Sequence, residues 1–220
     1  MRWSVLAVVS LLGCATAVEP FSPPLDAGSE SSTDTLATED TEVSEASTDT
    51  KVPPVDAGPC KLVINEVQTG DGTSGNADFV ELYNGCAAAA SIGGHKLVYR
   101  SASGTTDIVL FTFAAGATVP AKGFRVIAGV AFGGSSDGAL ASGLAGGGAS
   151  VALKDESDAV IDSIGYGTGT GVFVEGSAAA APGDSSPAKS LSRQPDGADT
   201  DDNANDFKVG TPSPGAANAP

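Results

Sequence analysis

The chain has 220 residues, 27 acids against 11 bases, a formal net charge of −16 and 5% aromatic residues. That balance excludes the basic surface on which nucleic-acid binding depends, because counterion release needs clustered Lys and Arg. It also excludes a polybasic patch for anionic lipid headgroups.

The first predicted element, residues 1–17, is a signal peptide. One cation, Arg2, precedes an uncharged and mostly apolar run from Trp3 to Leu12, about half the length that spans a bilayer. Two cleavage patterns overlap behind it. Leu11-Leu12-Gly13-Cys14 resembles a bacterial lipobox, in which the Cys is diacylated and becomes the first mature residue; Ala15-Thr16-Ala17 fits ordinary secretion. The lipobox is favoured, because secreted proteins rarely keep a lone Cys in the signal peptide; otherwise Cys14 is a small apolar residue in a discarded segment. Acyl chains stabilise attachment by ~0.8 kcal/mol per buried CH₂. The expectation is an exported lipoprotein of the bacterial outer membrane or cell surface, with the membrane as a partner through the lipid. The alternative is a secreted protein.

Residues 18–59 carry ten acids against one base, Lys51, with much Ser, Thr and Pro and few large apolar side chains. Such a stretch cannot bury enough surface to offset the entropy of ordering it, so it reads as a disordered acidic linker. The hexads PPLDAG (23–28) and PPVDAG (53–58) bracket it as a duplicated linker element. A flexible coil of this length reaches roughly 35 Å on average, and self-repulsion extends it further.

From Cys60 the texture changes, and 60–220 is long enough for one domain with a core. Strands are predicted at 61–67, 78–84, 95–100, 107–113, 123–129, 150–155 and 159–166, with weaker candidates at 171–176 and 189–193. Short β-favouring runs separated by Gly, Asp, Ser and Pro indicate an all-β, antiparallel β-sandwich. The small-residue run 138–150 reads as a loop, with a helical turn as its alternative. The loop 133–149 is a candidate binding surface, because binding residues concentrate on loops. Cys60 and Cys86 stand just before the first strand and just after the second. In an exported protein that placement predicts a disulfide, the alternative being two buried thiols. Two Cys with one distant His do not make a zinc set.

Several motifs then converge. LVINEV followed by DFVELYN, then SIGGHKLVYR, SVALKDESDAVIDSIGYG and the closing KSLSRQPDGADTDDNANDFKVGTPSPGAAN, resemble the bacterial lamin-tail (LTD) family across nearly all of 60–218. The resemblance implies an immunoglobulin-like sandwich in which Asn65, Glu66, Glu81, Asn84, Asn203, Asp206 and Phe207 are structural motif residues. His95 stands where a large aromatic is usual, and Asp158 where a turn Gly is usual. For exported bacterial members the resemblance implies a non-enzymatic surface module, often tethered or fused to other exported domains. The chromatin contacts of the animal relatives do not carry over to a chain this acidic with no heptad rod.

The loop GADTDDNANDF (197–207) poses a chemical question. Counting from Asp199, the calcium-loop positions 1, 3, 5 and 7 are Asp199, Asp201, Asn203 and Asn205. Yet Ala204 replaces the turn Gly and Gly210 the bidentate Glu, so any calcium cofactor would be weak. The other reading is a turn in which Asn203 and Asp206 bond nearby backbone and place Phe207 in the core. Glu66 and Glu81 also stand on adjacent strands. Two facing, part-buried carboxylates would share a proton or bind a cation; the plainer reading points them outward toward Lys61, Lys96 or Arg100.

His95 is the only histidine, and no G-x-S-x-G elbow or phosphate loop occurs. The expectation is a non-catalytic envelope module that binds or tethers a protein or glycan partner and no nucleic acid. The alternative is a calcium-dependent adhesin or a metal-dependent hydrolase on the same fold.

Overall fold

A computed structural model describes residues 60–219. The signal peptide, the lipidation candidate Cys14 and the linker 18–59 lie outside the described residues.

The described chain forms twelve strands and one short helical turn. In order these are β1 (Leu62–Gln68), β2 (Phe79–Asn84), β3 (Ala90–Ser91), β4 (Lys96–Ser101), β5 (Ile108–Thr112), β6 (Thr118–Val119), β7 (Phe124–Ala128), β8 (Gly138–Ala139), β9 (Gly148–Lys154), β10 (Val160–Gly167), β11 (Ser190–Arg193), α1 (Asn203–Asp206) and β12 (Phe207–Gly210). One sheet runs β12-β11-β1-β2-β7-β8, the other β10-β9-β4-β5, and β3 pairs with β6 in a small ribbon. Every pairing is antiparallel except β7 with β8. The architecture is the antiparallel, immunoglobulin-like sandwich expected.

Alternation builds the core. Ile64, Val67, Val80, Leu82, Ile127 and Leu191 of the larger sheet pack against Leu97, Leu110, Val151, Leu153, Ile164 and Tyr166 of the smaller one. A bulge between Ile64 and Glu66 restores this alternation. It keeps both Ile64 and Val67 facing inward and turns Glu66 to the outer face.

Cys60 and Cys86 form a disulfide across the mouth of the β1–β2 hairpin, with Cα atoms 4.9 Å apart. Beside it, the buried Asn84 carboxamide donates to the carbonyls of Ala88, Val119 and Pro120 and accepts from the Cys86 amide. Asp158 has φ 66°, the left-handed conformation that favours Gly. Asp155 accommodates this turn by accepting from the amides of Ser157 and Ala159.

One strand expectation and one loop expectation differ from the structure. Residues 171–176 form no strand. Instead Phe173 packs on Val98 and Ala152 on the outer face of the smaller sheet, under the Arg100 and Lys154 side chains. Its apolar neighbours mark a plug rather than a ladder. The run 138–150 is not one loop and holds no helix, because its ends are β8 and the start of β9. Ala149 is fully buried there, where a small side chain suits the depth of the core.

Candidate functional site

The acidic loop converges on one guanidinium. Arg193, at the end of β11, is completely buried and stacks 4.4 Å from the centre of the Phe207 ring. Its Nε donates to the Ile64 carbonyl at 2.9 Å, NH2 to Asp162 at 2.9 Å, and NH1 to Asp206 at 3.0 Å and the Ala198 carbonyl at 2.6 Å. Asp199 lies 3.4 Å from NH1 and also pairs with Lys61 at 2.5 Å. Asp162 accepts in addition from the Ile64 amide, and Asp206 from the Thr200 amide and hydroxyl. Thus β1, β10, β11, α1 and the loop between β11 and α1 meet at a single cation. Arg suits this place because its planar fork offers five donors and does not lose its charge.

Electrostatics follow the burial. Desolvation pushes Asp162 up to about 7, even with Arg193 beside it. Burial would also raise Asp199, but Lys61 and Arg193 outweigh it and hold this carboxyl below its usual range. Burial raises Glu175, which accepts from the Ser163 amide and hydroxyl.

The calcium-loop set does not assemble. Asn203 points into the sandwich, where its Oδ1 accepts from the Gly165 and Glu175 amides. Its Nδ2 donates to the Ser163 carbonyl and the Glu175 carboxylate. Asp201 and Asn205 are exposed, and Asp199 faces two cations. The reason is local. Asp202 caps α1 by accepting from the Ala204 amide, so the chain turns helically and sends alternate side chains to different sides. The carboxylates that do converge are Asp162, Glu175 and Asp199, with ligand-type oxygens within 4.8 Å of one another, and Arg193 already bridges two of them.

Glu66 and Glu81 stand directly opposite in register and are both fully buried. They do not pair with Lys61, Lys96 or Arg100, which engage Asp199, Asp158 and Asp107 instead. They face outward from the sheet, but the segment after β12 covers them. Asn65 sits between, donating to Glu81 at 3.1 Å and Asp196 at 3.0 Å and accepting from the Gly197 amide. His95 is half-buried in the turn before β4, its Nδ1 3.4 Å from the Gly93 carbonyl. The candidate binding loop 133–149 divides between two grooves. Residues 134–137 line one of about 540 Å³ with Phe124 and Pro214, and 140–143 line one of about 160 Å³ with Asn76 and Asp78.

Arg193 and Glu175 were not singled out from the sequence. A usable signal existed for the first: Arg193 is the only base between Ser190 and Phe207, next to the densest run of acids.

Among protein-family models, the one described as Lamin Tail Domain matches residues 56–168, from before β1 to the end of β10. The chain belongs to the lamin tail domain family. No curated protein matches the sequence. The matched stretch ends before β11, so Arg193, Asp199, Asp206 and the covering C-terminal segment of this lamin tail domain lie beyond the match, while Ile64 and Asp162 lie within it. The residues beyond the match nonetheless complete the same sheet, through β11 on β1 and β12 on β11.

Proposed function

We propose that this chain is an exported, lipid-anchored envelope module, non-catalytic, that presents a lamin tail domain to a protein or glycan partner at the cell surface. Cys14 carries the lipid, and residues 18–59 act as an acidic spacer. The observation that carries the non-catalytic part is the engagement of the acidic loop. Asp162, Asp199 and Asp206 each bond Arg193, and Asn203 bonds backbone, which is the chemistry of a fold clamp. Asp162 and Glu175 are raised and line a groove with Lys61, but Asp162 is tied to Arg193 and the Ile64 amide, and Glu175 to Ser163 and Asn203, whereas a hydrolytic acid pair needs carboxyls free to reach a substrate. The partner-facing surface of this reading is the groove between residues 134–137 and Pro214, next to the candidate loop.

The test is the intact mass of the mature protein from membrane and medium fractions, with a Cys14→Ala variant in parallel. A membrane-bound product starting at acylated Cys14, converted by the variant into an uncleaved or released form, is the expected result. A soluble product starting at Val18 overturns the anchor and makes a diffusible factor the better reading.

A further inference from the structure

Residues 211–219 carry no large apolar side chain and none of them is fully buried, yet they lie in a fixed path over the outer face of the larger sheet. What fastens them is a row of carboxylates. The Ser213 amide donates to Glu66 at 3.0 and 3.2 Å and its hydroxyl at 3.3 Å; the Gly215 amide donates to Glu81 at 2.6 Å; the Asn218 amide donates to Asp196 at 3.1 Å. Asn218 also reaches the Arg193 carbonyl at 3.0 Å, and Gln194 holds the Ala219 carbonyl at 2.8 Å.

Among the described residues, no cation faces this row. Beside Glu66, β11 presents Ser190 and Ser192; beside Glu81, β7 presents Val126. The remaining charged neighbour is a third acid, Asp196. Lys208, opposite Ser192 and so two strands from Glu66, is bonded to the Ala204 carbonyl. Arg125 engages Asp137 and the Thr118 carbonyl.

Two carboxylates facing each other under cover, without a cation, cannot both be charged cheaply, because each loses water and repels the other. Lifting the cover hydrates them. We propose that residues 211–219 form a proton-gated strap, which stays closed while the Glu66–Glu81 pair retains a proton and lifts off when both are ionised. The Ser190 and Ser213 hydroxyls, the amides of Ser213 and Gly215 and the Asn65 carboxamide all favour the ionised state, so two effects compete. Burial wins, pushing Glu81 up to about 8 with Glu66 and Asp196 adding to it, and burial raises Glu66 as well. Once open, the groove would offer the same acceptors to another extended backbone.

The experiment is hydrogen exchange of the wild-type chain from pH 6 to 8, followed by mass spectrometry and corrected for intrinsic exchange rates. One linked proton predicts that protection of peptides spanning 212–218 falls by up to about tenfold per pH unit, flattening near pH 8 to roughly 50-fold over the range, while β9 and β10 stay protected. Glu66→Gln, whose amide can donate to the Ser190 or Ser213 hydroxyl, mimics the protonated form and should hold the strap closed with less pH dependence than the wild type. Flat wild-type protection overturns the proposal. So does a loss shared equally by β9 and β10, or a Glu66→Gln strap that opens as the wild type does. Should Glu66→Gln fail to fold, the wild-type titration still decides.

Discussion

Arg193 is the side chain on which the most distant parts of the domain depend. Removing it by Arg193→Met leaves Asp162 and Asp206 buried without their cation. That should cost about 3–5 kcal/mol in urea unfolding. Arg193→Lys should recover less than half of this, because one ammonium cannot serve Ile64, Asp162, Ala198 and Asp206 together. Asn203 is the second such residue. All four hydrogen-bonding capacities of its carboxamide are used, so Asn203→Ala should lose about 2–3 kcal/mol by stranding the Gly165 and Glu175 amides. Measuring both variants by denaturant midpoint checks that the acidic loop is a structural clamp; near-neutral values would refute it.

Among the elements, the β1–β2 hairpin is the one closed by a covalent bond. The Cys60–Cys86 bond closes a span of 26 residues. In the chain-entropy account a loop of that size stabilises by about 3–4 kcal/mol, so Cys60→Ala with Cys86→Ala should lower stability by roughly that amount. Intact mass with and without reductant should differ by two hydrogens. The strands that bear alternating apolar residues were legible as strands, and β1, β2, β4, β7 and β10 lie within a residue or two of expectation. The two-residue strands β3, β6 and β8 were not legible, since a period of two leaves no pattern over two residues. Their pairing is decided by partners far along the chain.

For the whole molecule, the buried carboxyls set the pH dependence. Burial raises Asp78 to about 6, Asp162 to about 7 and Glu81 to about 8. Each group therefore holds a proton in the folded chain that the unfolded chain has already released above about pH 4. Stability should be fullest near pH 4–5 and decline as pH rises through 6 to 8, read as a lower urea midpoint at pH 8.5 than at pH 5. Asp107 and Asp199 act in the other direction. Burial would raise each, but cationic partners outweigh it, so their contribution is lost as pH falls below about 4. Calcium should change the melting temperature by less than about 1 °C, because Arg193 already bridges Asp162 and Asp199. A larger rise would revive the calcium-dependent adhesin.

Read by itself, the sequence determined the all-β class, the principal strands, the disulfide and the family, because period-two patterning, turn residues and hairpin ends are local signals. It also placed Asp206 in a structural turn, where it accepts from Thr200, and Phe207 in the core, since an Asp beside an aromatic carries that chemistry within a few residues. Asn203 was expected to bond nearby backbone and instead reaches across to Ser163, Gly165 and Glu175. What only the tertiary structure decided was which charges meet. Ile64 and Asp162 are 98 residues apart, and Glu66 and Ser213 are 147 apart. Glu81 by alternation, and Glu66 by the bulge that precedes it, point away from the core, and become buried because a segment from the far end of the chain crosses over them. No local pattern encodes that, since burial of an outward-facing side chain depends on what later folds across it.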